Sequence, residues 1–199
     1  MQNPTNTNRN FNSLAIHAKK QFATAFGKLL YEYADTYDKV IILCIGTDRI
    51  TGDSLGPLTG YKLKPLLASL QTPPVLYGTL EEPVHALNLS SFVQNIYKQF
   101  STPLVIAIDA SLGLPKHIGR LTLKAGAFNP GSAVGKKMPA IGDITVTGVV
   151  NHCHCCSNYL DYSTLQNTRL NTVMKMAEVI AYGLYQGLHA HYTGIPSAL

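Results

Sequence analysis

The chain has 199 residues, a formal net charge of +5, 46% hydrophobic residues and 14% charged residues. That length fits one domain with a substantial core, and the balance of apolar to charged residues excludes a disordered chain. No apolar run approaches the roughly 20 residues of a membrane-spanning helix, and the basic residues are scattered, which argues against both a membrane and a nucleic acid as partner.

The opening residues, MQNPTNTNRN, are polar and lack the apolar stretch of a secretory signal. The sequence therefore predicts a mobile polar tail over residues 1–10, a single domain over residues 11–199, and a cytoplasmic location. From Ser13 the spacing becomes helical, with Leu14, Ala18, Phe22, Phe26, Leu29 or Leu30, and Tyr33 recurring every three to four residues. Lys39 to Ile45 is a continuous apolar run, the pattern of a strand covered on both faces. A long glycine-bearing loop follows from Gly46 to Pro57. Leu58, Leu63, Leu66, Leu67 and Leu70 then mark a second helix, stopped by Pro73-Pro74.

Val75 to Gly78 reads as a short strand, residues 84–100 as a helix, and Pro103 to Ile108 as a third apolar strand that ends at Asp109. Two further strands are predicted at Arg120–Lys124, where apolar residues alternate, and at Asp143–Val150. Ser163-Thr-Leu-Gln166 has the form of a capping box, and Val173, Ala177, Ile180, Leu184 and Leu188 form one stripe of a terminal helix. Strands alternating with helices imply a three-layer α/β/α fold around a mostly parallel, twisted sheet.

In such sheets ligands bind outside the carboxyl ends of the strands. Asp53 follows the first apolar strand and Asp109 ends the third. If those strands are neighbours, the two carboxylates converge on one crevice. Two carboxylates in a half-dry crevice lower their energy by sharing a proton, so that one can act as a base toward water and the other as an acid toward a substrate carbonyl. The pair could instead hold a divalent metal. The plain structural alternatives are a strand-end cap for Asp109 and a helix N-cap for Asp53.

Gly46, Gly52 and Gly56 do not match a nucleotide-binding fingerprint. A second glycine-bearing loop, Gly126 to Gly135, contains Asn129, Gly131 and Ser132 and could present backbone N–H groups to a substrate carbonyl. Thr47 in the first loop, and Glu81 and Glu82 after the second strand, are further candidates for the crevice rim. His152-Cys153-His154-Cys155-Cys156 is the rival site. Its residues are zinc ligands by type, but the spacing is too tight for a zinc ribbon and strand neighbours point to opposite faces. Reduced cytosolic thiols are the plainer reading.

Three ordered segments carry a resemblance: Cys44-Ile-Gly-Thr-Asp-Arg-Ile-Thr-Gly-Asp-Ser-Leu-Gly-Pro57, Val105-Ile-Ala-Ile-Asp-Ala110 and Asn129-Pro-Gly-Ser-Ala-Val-Gly135. Together they resemble the YyaC family of sporulation proteins, which is similar to the spore germination protease and remotely to the hydrogenase maturation endopeptidases. The resemblance implies a phosphorylase/hydrolase-like α/β fold. It also implies a peptidase of the aspartic type with Asp53 and Asp109 as its catalytic pair and no cofactor. The implied substrate is a protein or peptide, with small acid-soluble spore proteins as the class that the germination protease cuts, in a sporulating cell or the spore core. In the hydrogenase endopeptidases a Glu, an Asp and a His bind the nickel of the pro-enzyme substrate. Asp53 and Asp109 match the first two, but the histidine position falls near Gly131, which favours the aspartic mechanism. A peptide-binding relative that keeps the crevice without catalysis, and an assembly of identical subunits, are both left open.

Overall fold

The computed structural model describes residues 8–33, 37–130, 140–153 and 158–194. Six strands, β1 (Arg9–Asn12), β2 (Lys39–Cys44), β3 (Val75–Tyr77), β4 (Pro103–Gly113), β5 (Arg120–Ala125) and β6 (Ile144–His152), form one sheet in the order β1-β5-β6-β4-β2-β3. The block β6, β4, β2, β3 is parallel, and β5 and β1 add antiparallel pairings at one edge.

The helices are α1 (Ala18–Glu32), α2 (Leu55–Leu67), α3 (Leu89–Gln99), α4 (Asn158–Gln166) and α5 (Leu170–Thr193). Alternation along the central strands decides which helix covers which face. Val40, Ile42 and Cys44 of β2, with Leu104, Ile106 and Ile108 of β4, share a core with α1, α2 and α5. Ile41, Leu43, Val105 and Ala107 point the other way and pack with Leu89 and Ile96 of α3. Both faces are therefore covered, and the three-layer α/β/α arrangement is the one its sequence predicts.

The connections place the crevice. From β2 the chain passes through α2 to β3 on one side. From β3 it passes through α3, on the other face, to β4 on the opposite side of β2. Strand order thus reverses between β2 and β4, and their exit ends frame the opening where such sheets bind ligands.

Several boundaries differ from the pattern reading. Asp109 is not a strand end: β4 runs on to Gly113, held by β6 through a register irregularity between Ser111 and Leu112. The pairing of β2 with β4 stops at Cys44 and Ile108, so Asp109 is the first β4 residue past the end of β2. The extension was hidden because its residues are no longer sandwiched by apolar layers. Ser163–Gln166 does not cap the last helix but lies inside α4, and α5 starts at Leu170 with Arg169 as its N-cap. The stripe Val173, Ala177, Ile180, Leu184 and Leu188 is fully buried, as its spacing predicts.

At the N-terminal side, Arg9–Asn12 forms an edge strand on β5, carried by a single inward aromatic, Phe11, stacked edge-on against Phe22 at 5.3 Å. Helix α1 begins at Ala18 rather than Ser13, and Leu14 is exposed in the turn before it. Likewise α3 starts at Leu89, because Val84 forms a parallel bridge with Ile45 and prolongs the sheet edge.

Candidate active site

The β2–α2 connection is built by close backbone contact. Gly46 has φ +138°, and a Cβ there would stand 2.0 Å from the carbonyl oxygen of Asp53. A Cβ on Gly56 would stand 2.1 Å from the carbonyl oxygen of Ile45. These two glycines let the loop fold back over the end of β2, and the Thr47 N–H closes it by donating to the Asp53 carbonyl at 3.1 Å. Asp53 sits in a 3-10 turn, Thr51–Ser54, that leads into α2.

The carboxyl of Asp53 is not the cap of α2. Ser54 holds that position, and its hydroxyl donates back to the Thr51 carbonyl at 2.6 Å. Burial instead pushes the Asp53 carboxyl up to about 6, and the Thr47 backbone N–H offsets part of that rise. The shift comes from desolvation, not from a neighbouring carboxylate.

Asp53 opens into a cavity of about 800 Å³, within the size range of ligand pockets. Ile50, Leu80, Pro83, Ala86 and Leu87 supply apolar wall, and Thr47, Asp48, Arg49, His85 and Tyr162 supply polar groups around Asp53. Asp109 does not line this cavity, although it is buried at 7% exposure. One of its carboxyl oxygens accepts from the Ala110 N–H at 2.9 Å.

Register places Asp109 relative to the cavity. Cys44 pairs with Ile108, so Ile45 is level with Asp109, and Ile45 bridges Val84 on its other side. Asp109, Ile45 and Val84 therefore form a row across three strand ends. At the usual strand spacing the two outer residues are about 10 Å apart in the backbone.

The other sequence candidates separate. Thr47 lines the cavity, and Gly46 supports Asp53 from beneath. Glu81 forms an exposed ion pair with Lys64 of α2, and Glu82 lies in an exposed turn closed by the Thr79 N–H onto its carbonyl at 3.2 Å. Asn129 is exposed beside the Phe128–Ile141 bridge, while Gly131 and Ser132 lie outside the described residues.

Of the histidine–cysteine cluster, His152 ends β6 with its Nδ1 3.0 Å from the Asn151 Oδ1. The Cys153 Sγ lies 3.7 Å from the Asp161 Oδ2. His154, Cys155 and Cys156 lie outside the described residues. Among the described residues, no three His, Cys, Asp or Glu side chains are grouped as metal ligands.

Pattern reading missed His85 and Tyr162. The only sequence signal for His85 was its position just beyond a strand exit, and Tyr162 had none, because α4 and its packing over the turn carrying Asp53 emerge only in the structure.

This arrangement has the fold of a maturation protease. It matches the [NiFe] hydrogenase maturation protease HycI from Thermococcus kodakarensis with a TM-score of 0.53 and 16% identity, over 81% of this chain and 99% of that one. The family model described as a protein of unknown function (DUF1256) matches residues 14–183, and the chain belongs to that family. It is 44% identical over 167 residues to "Uncharacterized protein YyaC" of Bacillus subtilis (strain 168), covering 84% of this chain and 77% of that protein. The likeness to that family carried by the three sequence segments is thereby established. No helix among the described residues is long and apolar enough to cross a membrane.

Proposed function

We propose that this protein is a peptidase of the aspartic type that hydrolyses a peptide bond in a protein of the sporulating cell. Asp53 and Asp109 are its catalytic carboxylates. The observation that carries the reading is the Asp53 carboxyl, which faces an 800 Å³ cavity and is held by burial at about 6. A carboxyl tuned close to neutral pH, and committed neither to a cap nor to an ion pair, is suited to exchange protons with water.

In this mechanism Asp53 takes a proton from a water that attacks the scissile carbonyl. Asp109, one strand away at the level of Ile45, acts as the acid that completes the transfer to the leaving amine. The apolar wall from Ile50 to Leu87 would seat the side chains of an extended peptide. Small acid-soluble spore proteins are the substrate class favoured by the resemblance to the germination protease, and the cytoplasm or spore core is where they would be met.

The experiment is incubation of the purified chain with spore extract across a pH series, with new termini read by mass spectrometry. Asp53→Asn and Asp109→Asn should each abolish the new termini while the far-UV circular dichroism stays unchanged. Cleavage that survives both substitutions refutes the assignment. If the wild-type protein produces no new termini but retains peptides, the crevice is a binding site without catalysis.

A further inference from the structure

The carboxylate pair supplies proton transfer, and the developing oxyanion calls for a fixed hydrogen-bond donor beside it. We infer that His85 is a catalytic residue of this site, its Nε2–H donating to the carbonyl oxygen of the scissile bond. The inference rests on the hydrolytic reading of the cavity given above.

Four observations converge on it. First, His85 lines the same cavity as Asp53. Second, its loop is fixed to the loop that carries Asp53: the Gly46 N–H donates to the Val84 carbonyl at 2.8 Å, and Val84 bridges Ile45. The residue before His85 is thus bonded to the glycine on which the Asp53 carbonyl rests.

Third, Asn88 ties the loop from within. Its Oδ1 accepts from the His85 N–H at 2.8 Å, and its Nδ2 donates to the Pro83 carbonyl at 3.0 Å. The backbone at His85 is held on both sides without using the imidazole. Fourth, the ring has a defined tautomer. Its Nδ1 accepts from the Leu87 N–H at 3.3 Å, so the hydrogen of the neutral ring is on Nε2. That nitrogen has no hydrogen-bond partner among the described residues. A donor held on a rigid loop, with its tautomer set and its hydrogen uncommitted, is pre-organised to meet charge that appears only as the reaction proceeds.

The step balances without any further reagent. Water oxygen bonds to the carbonyl carbon as Asp53 takes the water proton. The carbonyl oxygen gains negative charge and receives the Nε2–H hydrogen bond, while His85 keeps its proton. The carbon–nitrogen bond then breaks, the amine nitrogen takes one proton through the carboxylate pair, and the carbonyl reforms.

The test compares wild type, Asp53→Asn, His85→Ala and His85→Gln for Asp53-dependent new termini in spore extract, with rates followed on one synthetic peptide spanning the strongest cleavage site. His85→Ala should lower kcat about 10²-fold with KM changed less than threefold, the size expected for one lost oxyanion donor. His85→Gln, which keeps an N–H donor on a side chain of similar reach, should recover at least tenfold of that loss.

Cleavage that is lost in Asp53→Asn but undiminished in His85→Ala overturns the role of His85 alone. Absence of any Asp53-dependent cleavage overturns the hydrolytic reading itself, and the role of His85 falls with it.

Discussion

Gly46 and Asp53 are seven positions apart, yet the Asp53 carbonyl oxygen occupies the place where a side chain on Gly46 would begin, 2.0 Å from its Cβ position. The loop after β2 closes at that contact. It turns the 3-10 segment back over the strand end and presents the Asp53 carboxyl to the cavity.

Gly46→Ala is therefore expected to be costly twice over. It places a Cβ against backbone and forces an L residue into φ +138°. Together these should destabilise by at least about 2 kcal/mol, a drop of roughly 5 °C or more in Tm for a chain of this size. Differential scanning calorimetry reads it directly. The surviving folded fraction should also lose any Asp53-dependent activity, because relief of the clash moves the Asp53 backbone.

Much of this architecture was legible in the sequence for a physical reason. Strands β2 and β4 are covered on both faces, so their residues had to be continuously apolar; that the two strands are neighbours came only with the structure, and Asp109 does not line the cavity that Asp53 faces. What escaped was whatever lacks a layer on both sides. The tail of β4 beyond Ile108 pairs with β6 but overruns β2, so Asp109 was taken for a strand end. The edge strand β1 has Phe11 as its apolar anchor, and its other ties are polar, with the Arg9 guanidinium donating to the Ala25 carbonyl at 2.7 Å and the Thr122 hydroxyl to the Asn10 Oδ1 at 2.8 Å. The capping pattern at Ser163 described a helix start in form, but it falls within α4, where no helix begins. His85 was invisible because nothing local distinguishes it; the Gly46–Val84 hydrogen bond and the Ile45–Val84 bridge join its loop to the one that carries Asp53.

Glu81 offers a check on where the crevice ends. It is exposed and paired with Lys64, which is also exposed. Glu81→Gln should change stability by less than about 1 kcal/mol, the usual worth of such a pair. Cleavage by the variant should stay within twofold of wild type if the working cavity stops at the Leu80–Pro83 wall. A larger loss in kcat/KM would extend the substrate path over the Glu81 turn.

The thiols should differ sharply in reactivity. Cys44 ends β2 with no exposed surface, and burial pushes its thiol well above the ordinary cysteine range. It should resist iodoacetamide in the native protein and become modified only with global unfolding. Cys153 is half-buried at the end of β6. Peptide mapping after brief labelling should find adducts at Cys153 before any at Cys44. Equal labelling rates would mean that the β2–β4 centre opens far more readily than its packing implies.

The pH dependence of stability is the most direct test of how Asp53 is tuned, because it needs no substrate. Its carboxyl is raised from the ordinary 3.8 to about 6 in the folded chain. Between those values the folded state holds more proton than the unfolded one, so this group makes stability fall as pH rises through roughly 4 to 6 and leaves a constant penalty above that. The penalty is at most about 3 kcal/mol from the size of the shift. Asp53→Asn removes the group that must ionise in a buried place. It should raise stability at pH 7 toward that limit, gain little at pH 4, and flatten the slope between. Urea denaturation of both proteins at four or five pH values measures this, with an unchanged m-value confirming that the folded state is the same. If Asp53→Asn is equally or less stable at pH 7, the carboxyl is solvated or partnered by a cation in solution, and the source of its proton affinity, with the general-base role built on it, is lost.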